Sequence, residues 1–294
     1  MIRIGAIEID WVEEVTVFDP PELFAEMQAQ DLTRHRPWLE PDYYDAEKGF
    51  RVGVLSWIVR TPSRTIIVDT GAGNGKTRPT SPRFGGLDTP YLSRLAEKGI
   101  TPDTVDTVLL THLHLDHVGW NTMLRDGAWV PTFAKARHLV SAVELELRDP
   151  ERGAAARPPA SWQVYNDSVR PVLEAGLIDL VAGDEDLGEG LTLMRLPGHS
   201  AGQIGLRVAS EGQVAMFIAD VVHQPIQVYF PHWNSRYCED QDTARRTRAD
   251  IFTRAADERA LLLPAHFGGN HGGYIERSGD GYSFRPLHDQ EARA

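Results

Sequence analysis

Apolar and polar residues alternate through MIRIGAIEIDWVEEV, the first fifteen positions, with the two-residue period of a half-buried strand. Residues 15–18 read as its hairpin partner. Residues 19–50 have no clear period and concentrate proline, acidic residues and the aromatics Trp38, Tyr43 and Tyr44, so an ordered excursion over the core is expected there. Two apolar runs, 52–60 and 64–69, separated by Thr61-Pro62-Ser63, predict a hairpin. The second run ends in VDTGAGNGK and opens a loop, residues 71–88, longer than most connections and hence a candidate lid or partner surface. A helix over 90–98 should stop at Gly99, and 105–110 should be a strand. Helical patterns follow at 142–148 and, interrupted near Pro171, at 162–175, with 154–159 as a loop between them. Short apolar runs at 177–181, 191–196, 204–208 and 214–219, split by Gly and Asp turns, predict strands. A helix over 242–256 and a final strand at 260–263 precede a short glycine-rich tail. This order is α+β. It suits two mixed sheets packed face to face with helices outside, in one domain spanning 1–294, and fits an alternating parallel sheet poorly.

With 294 residues, 41% hydrophobic and 24% charged, the chain can bury a sizeable core. Its net charge of -12 argues against nucleic acid as a partner. The one basic cluster, Arg245, Arg246, Arg248 and Arg254, lies among Asp240, Asp242 and Asp250 and reads as the solvated face of a helix. The single cysteine, Cys238, excludes an internal disulfide and thiolate metal clusters. No window approaches the roughly eighteen consecutive apolar residues of a membrane span, and the N-terminus lacks a signal-peptide core, so a cytoplasmic protein without a membrane partner is expected.

The chemistry concentrates in THLHLDHVGW, where His112, His114, Asp116 and His117 fall within six positions after the strand at 105–110. Imidazole nitrogen with carboxylate oxygen suits zinc and its first-row neighbours, Mn, Co or Fe among them. His112 and His114 are two apart, so in extended backbone they share a side, and the following turn delivers Asp116 and His117 from another direction. One segment can therefore serve two metals. His199 in RLPGHSAGQ, Asp220 in MFIADVVHQ and His266 in LLLPAHFGG each follow a predicted strand end. Singly they read as turn histidines and a capping aspartate. Together with the first four they make seven ligands, the number needed for two metals bridged by one carboxylate. Asp69, before a tight Gly turn, reads as a residue that orients the His-rich loop by hydrogen bonds.

On these residues the chain resembles the metallo-β-lactamase fold superfamily, whose HxHxDH motif is met at His112 to His117, whose later ligands match His199, Asp220 and His266, and whose Asp-Thr-Gly turn matches Asp69 to Gly71. The resemblance implies an αββα sandwich with a dinuclear zinc site at one edge. It places His112, His114 and His199 on one metal, Asp116, His117 and His266 on the other, and Asp220 between them. Asp220 sets the chain apart from true β-lactamases, and His114 from flavodiiron proteins. The acidic charge disfavours the tRNA nucleases, and the short tail disfavours glyoxalase II relatives. The remaining branch holds lactonases, organophosphate hydrolases and hydrolytic dehalogenases.

The implied reaction uses a metal-bridging hydroxide, oriented by Asp116 and Asp220, on a small, largely apolar ester, a lactone first among them. Phosphotriester or aryl ester hydrolysis and hydrolytic dehalogenation are alternatives on the same site. A mononuclear iron redox enzyme or a non-catalytic metal sensor is the alternative from another class. Acyl-homoserine lactonases carry a tyrosine three residues after the bridging aspartate, whereas this chain has His223. His223 is thus either a catalytic hydrogen-bond donor or a support behind the ligands. Trp120 and Phe267 foremost, with Tyr229 and Trp233, are expected to line the substrate cleft, and Phe84 to close over it. The 71–88 loop and the 19–50 excursion are candidate homodimer contacts.

Overall fold

The computed structural model describes residues 1–152 and 162–288. Its strands are β1 (Ile2–Ile4), β2 (Ile7–Asp19), β3 (Tyr44–Asp45), β4 (Gly49–Arg60), β5 (Thr65–Val68), β6 (Thr107–Leu110), β7 (Thr122–Arg125), β8 (Ala128–Pro131), β9 (Arg137–Ser141), β10 (Ile178–Val181), β11 (Asp186–Gly188), β12 (Leu191–Arg195), β13 (Ile204–Ser210), β14 (Gln213–Ala219), β15 (Leu261–Pro264), β16 (Gly273–Ser278) and β17 (Gly281–Pro286). The helices are α1 (Ala29–Leu39), α2 (Tyr91–Glu97), α3 (Ala142–Arg148), α4 (Trp162–Val164), α5 (Arg170–Glu174) and α6 (Gln241–Glu258). The loop expected at 154–159 lies outside the described residues. No helix among those described is long and apolar enough to cross a membrane.

The chain divides into two compact units, one built from residues 7–15 and 54–183, the other from 1–6, 16–53 and 184–294. In the first, the sheet runs β2-β4-β5-β6-β9-β10. The hairpin at Thr61-Pro62-Ser63 joins antiparallel β4 and β5, and β5, β6, β9 and β10 run parallel. Val108, Leu110 and Val140 bury one face of this sheet against Tyr91 and Leu95 of α2 and against Tyr165 and Val169. As expected, α2 ends at a left-handed Gly99 (φ +75°). The strands β7 to β9 were not expected. The first two are short and half-exposed, so their apolar residues show no inward period.

Two further findings concern β2 and the segment before Pro171. Residues 15–18 continue β2 instead of turning back, because the reversal occurs earlier, at Gly5 with φ +55°. The break expected near Pro171 is a π-turn, Tyr165–Val169, between α4 and α5. Proline has no amide hydrogen to give to the carbonyl four residues back, Asp167 O. That oxygen accepts instead from Lys76 Nζ at 2.9 Å and from the Thr122 hydroxyl. Asp167 also pairs in bidentate fashion with Arg78, at 2.6 and 2.9 Å. Lys76 lies 3.6 Å over the Trp129 ring, and burial lowers its pKa to about 7. The 71–88 loop is therefore tied to the π-turn by two buried basic side chains.

In the second unit the sheet order is β11-β12-β13-β14-β15-β16-β17, antiparallel except for β14 with β15. Leu196, Met216, Ile218 and Leu262 pack here against Ile251, Phe252 and Ala255 of α6. Three expectations are corrected. The excursion contains a helix, α1, and sends Leu23, Phe24, Leu39, Tyr43 and Phe50 into the core, so it is a layer of this unit more than a cover. The glycine-rich tail is the β16–β17 hairpin, in which Ile275 faces Phe284; the glycines masked a strand period. Finally, Arg248 is not on a solvated face. It occupies the inward phase of α6 with Ala244, Ile251, Phe252 and Ala255.

Candidate metal centre

In the first unit, β5 and β6 end side by side, and Asp69 leaves β5 with φ +59°. That turn aims its carboxylate at the start of the His-rich segment. Oδ1 accepts from the Thr111 amide and Oδ2 from the Thr111 hydroxyl, both at 2.8 Å. His117 Nδ1 donates to Oδ2 at 2.8 Å, which fixes the ring and presents Nε2 on its far side, 3.8 Å from Asp116 Oδ1. His112 Nε2 and His114 Nδ1 converge to 3.0 Å. Behind them, Glu144 of α3 accepts the Leu113 amide at 3.2 Å, and Arg148 donates to His114 Nε2 at 2.9 Å. All four motif residues are thus brought together, and Asp69 is hydrogen-bonded to the segment at Thr111 and His117.

The motif's tail is locked to the Asp-Thr-Gly turn by main-chain contacts. Thr70 N meets His117 O at 2.7 Å, Gly119 N meets Gly71 O at 2.7 Å and Trp120 N meets Thr70 O at 2.8 Å. A Cβ on Gly119 would stand 1.8 Å from the carbonyl carbon of Ala72, so only glycine allows this crossing. Glu14 of β2 ties the crossing from below. Its buried carboxylate accepts from Ala72 N (2.6 Å), Gly73 N (3.1 Å), Thr89 Oγ1 (3.1 Å) and Trp120 Nε1 (2.7 Å). Burial raises its pKa against the pull of these donors. Sequence reasoning missed Glu14, although it shares the inward phase of β2 with Val12.

In the second unit three imidazoles surround one oxygen. His199 Nε2 and His266 Nε2 each lie 3.2 Å from Asp220 Oδ2, and His223 Nε2 lies 3.3 Å from it. His199, Asp220 and His223 form a group whose ligand atoms all lie within 4.8 Å of one another. His266 leaves β15 and donates Nδ1 to Gly53 O at 2.8 Å, while Gly53 N returns a bond to His266 O at 3.0 Å. Asp220 follows β14 just after Ala219, which turns with φ +47°. Burial lowers the pKa of His223 despite the adjacent carboxylate, and Ser235 Oγ lies 3.2 Å from the same nitrogen. In donor type both groups suit first-row divalent ions: imidazole nitrogens and carboxylate oxygens converge, and the Nδ1 atoms of His117 and His266 are held by hydrogen bonds.

The residues expected to meet substrate are mostly packed side chains. Trp120 stacks on Tyr91 at 5.1 Å, and Phe84 is buried in its loop. Phe267 meets Phe284 edge-on at 5.6 Å, and Trp233 stacks on Phe230 at 4.1 Å. Tyr229 is half-buried beside His35 and Trp38.

A sequence model described as "Metallo-beta-lactamase superfamily" matches residues 49–276. N-acyl homoserine lactonase AiiB of Agrobacterium fabrum is 28% identical over 230 residues, covering 73% of this chain and 79% of the lactonase. Acyl-coenzyme A thioesterase MBLAC2 of Gallus gallus is 27% identical over 252 residues, covering 82% and 83%. Among solved structures, "hydrolase AbOPH in beta lactamase superfamily" superposes with a TM-score of 0.82 at 26% identity, covering 97% of this chain and 96% of that one. AidC, a dizinc quorum-quenching lactonase, has a TM-score of 0.76 at 19% identity over 98% and 96%, a likeness of fold.

Proposed function

The chain belongs to the metallo-β-lactamase superfamily and has its α+β fold, and from that premise we propose that it is a dinuclear zinc-dependent hydrolase of small, largely apolar esters, lactones first. The single observation that carries this reading is the approach of His199 Nε2 and His266 Nε2, assigned to different ions, to the one Asp220 Oδ2, with His223 Nε2 beside them. His112, His114 and His199 would hold one ion and Asp116, His117 and His266 the other, with Asp220 shared. Two such ions would supply Lewis acidity and a water of near-neutral pKa.

The chain's own residues then have defined tasks. Asp69 and the Gly53 carbonyl hold His117 and His266 in one orientation, so little reorganisation is needed. Asp116 and Asp220 neutralise the charge of the site. His223, kept neutral by burial, is the hydrogen-bond donor nearest Asp220 that the ligand set does not use. Tyr229, with its half-exposed ring, is the aromatic we assign to the substrate.

The likeness to an acyl-coenzyme A thioesterase over 82% of the chain favours a second reading, thioester hydrolysis by the same residues. The deciding experiment is a screen of zinc-loaded protein against lactones of several ring sizes, aryl esters, acyl thioesters, phosphotriesters and chlorinated aromatics. Turnover of lactones above the other classes supports the first reading, and turnover of thioesters above lactones the second. One iron per chain with redox activity and no hydrolysis would sink both. His223→Phe should retain both metals and lower kcat; unchanged kinetics would remove His223 from the reaction.

A further inference from the structure

The segment that follows Asp220 contains His223, Tyr229 and Trp233 and has no regular structure beyond one 3-10 turn, Pro225–Val228. It is nevertheless almost wholly buried from Val221 to Val228. Arg248 of α6 explains how. Its side chain is fully buried and makes four hydrogen bonds, from Nε to Val221 O at 2.9 Å, from Nη1 to Pro231 O at 2.8 Å and Trp233 O at 2.7 Å, and from Nη2 to Asn234 Oδ1 at 3.1 Å. Every acceptor lies in 221–234, and none is a carboxylate.

A buried guanidinium whose hydrogen-bond acceptors are all neutral is costly, and burial lowers the Arg248 pKa to about 10. The neighbouring inward positions of α6 are Ala244, Ile251, Phe252 and Ala255, so an apolar side chain would suit the core at less cost. What the cation adds is donors to one loop. A second brace works from inside that loop. Gln227 Oε1 accepts the amides of His223 at 2.8 Å and Gln224 at 3.2 Å, while its Nε2 donates to Trp233 O at 2.9 Å. Trp233 O thus receives both Arg248 and Gln227, and an unbroken run of bonds leads from α6 to the backbone of His223.

We infer that Arg248 is a positioning residue that, through Val221 O and the Trp233 carbonyl it shares with Gln227, sets where Asp220 and His223 stand. Its consequence for the metal rests on the hydrolase reading above; the brace itself does not. The test compares wild type, Arg248→Lys, Arg248→Met, Gln227→Leu and the Arg248→Met/Gln227→Leu double variant, using cobalt(II) alone as the probe. Folding is checked by circular dichroism, and hydrogen exchange of the 221–234 amides is followed without metal.

Arg248→Met and Gln227→Leu should each lose exchange protection in 221–234, shift the visible cobalt bands and weaken cobalt binding by about 10-fold to 100-fold. Arg248→Lys should recover part of each effect. The double variant should be little worse than the worse single one, because both changes break the same run of bonds. If Arg248→Met does not fold, Gln227→Leu and Arg248→Lys carry the same comparison. Folded variants with wild-type protection and wild-type cobalt bands would overturn the inference. Wild-type protein that binds no cobalt would sink the metal reading instead, leaving the exchange data to decide the brace.

Discussion

In the unit formed by 7–15 and 54–183, four candidate ligands fall within six residues, and what orients them is also close in kind: an aspartate at the end of the adjacent strand and a glycine crossing. In the other unit the candidate ligands stand at the ends of separate elements, forty-six residues apart between Asp220 and His266 alone. The loop that follows Asp220 is held by a buried guanidinium with only neutral acceptors and by a glutamine. The first group is written in a short motif supported by sheet geometry, while the second depends on tertiary contacts that no short window contains. Group for group, the scattered ligands should be easier to disturb from a distance, and the clustered ones only from nearby.

The sharpest break is Asp220→Ala. It should release metal and reduce kcat/KM by about a thousand-fold, roughly 4 kcal/mol of transition-state stabilisation, with the circular dichroism spectrum unchanged. Metal analysis and steady-state kinetics on the best substrate of the screen check this, and full metal content with full turnover would show that the carboxylate is not shared. Asp69→Ala tests the clustered group. Removing the acceptor for His117 Nδ1 and for Thr111 should weaken metal binding by about 10-fold to 100-fold, measurable by competition with a chelator. An unchanged affinity would mean that the strand ends alone set His117.

A third measurement separates local support from pH. His138 of β9 is fully buried, and burial lowers its pKa to about 4 from 6.5. Between those values the unfolded chain binds the extra proton and the native chain does not, so stability should fall as pH drops from 6.5 to 4, by about 3 kcal/mol in all. His138→Val should remove that acid limb from a series of urea midpoints; an identical slope would place the sensitivity elsewhere. Smallest is Glu14→Gln, which sets an amide against one of four donors and should cost about 1–3 kcal/mol. Its marker is Trp120 fluorescence, because the indole loses a charged acceptor.

Much of the candidate site was legible because metal chemistry restricts residue type and spacing. His112 to His117 announced themselves by density, and His199, Asp220 and His266 by following apolar runs. What supports them was not legible, for reasons that differ by residue. Arg248 sits among other arginines and acidic residues, so composition pointed to solvent, although its spacing from Ala244, Ile251 and Ala255 is that of a buried stripe. Glu14 lay in an alternating strand whose phase pointed inward, but a carboxylate there reads as an exception until its four donors are seen. The hairpin β16–β17 was hidden by glycine, which signals a turn and also permits a strand. Helix α1 contains Pro37 and a polar majority, so its packing partners in 16–53 and 184–294, not its own period, hold it.

Pro171 links two stretches of chain that look unrelated on paper. By withholding one amide hydrogen it leaves the Asp167 carbonyl to Lys76 and Thr122, so a helix defect serves as a socket for a loop ninety-one residues away. A substitution such as Pro171→Ala would restore a competitor for that carbonyl, and its effect would be felt at Lys76 before it was felt in the helix. Regularising the helix would therefore take that carbonyl from Lys76 and Thr122 and leave the Arg78–Asp167 pair as the tie between loop and helix.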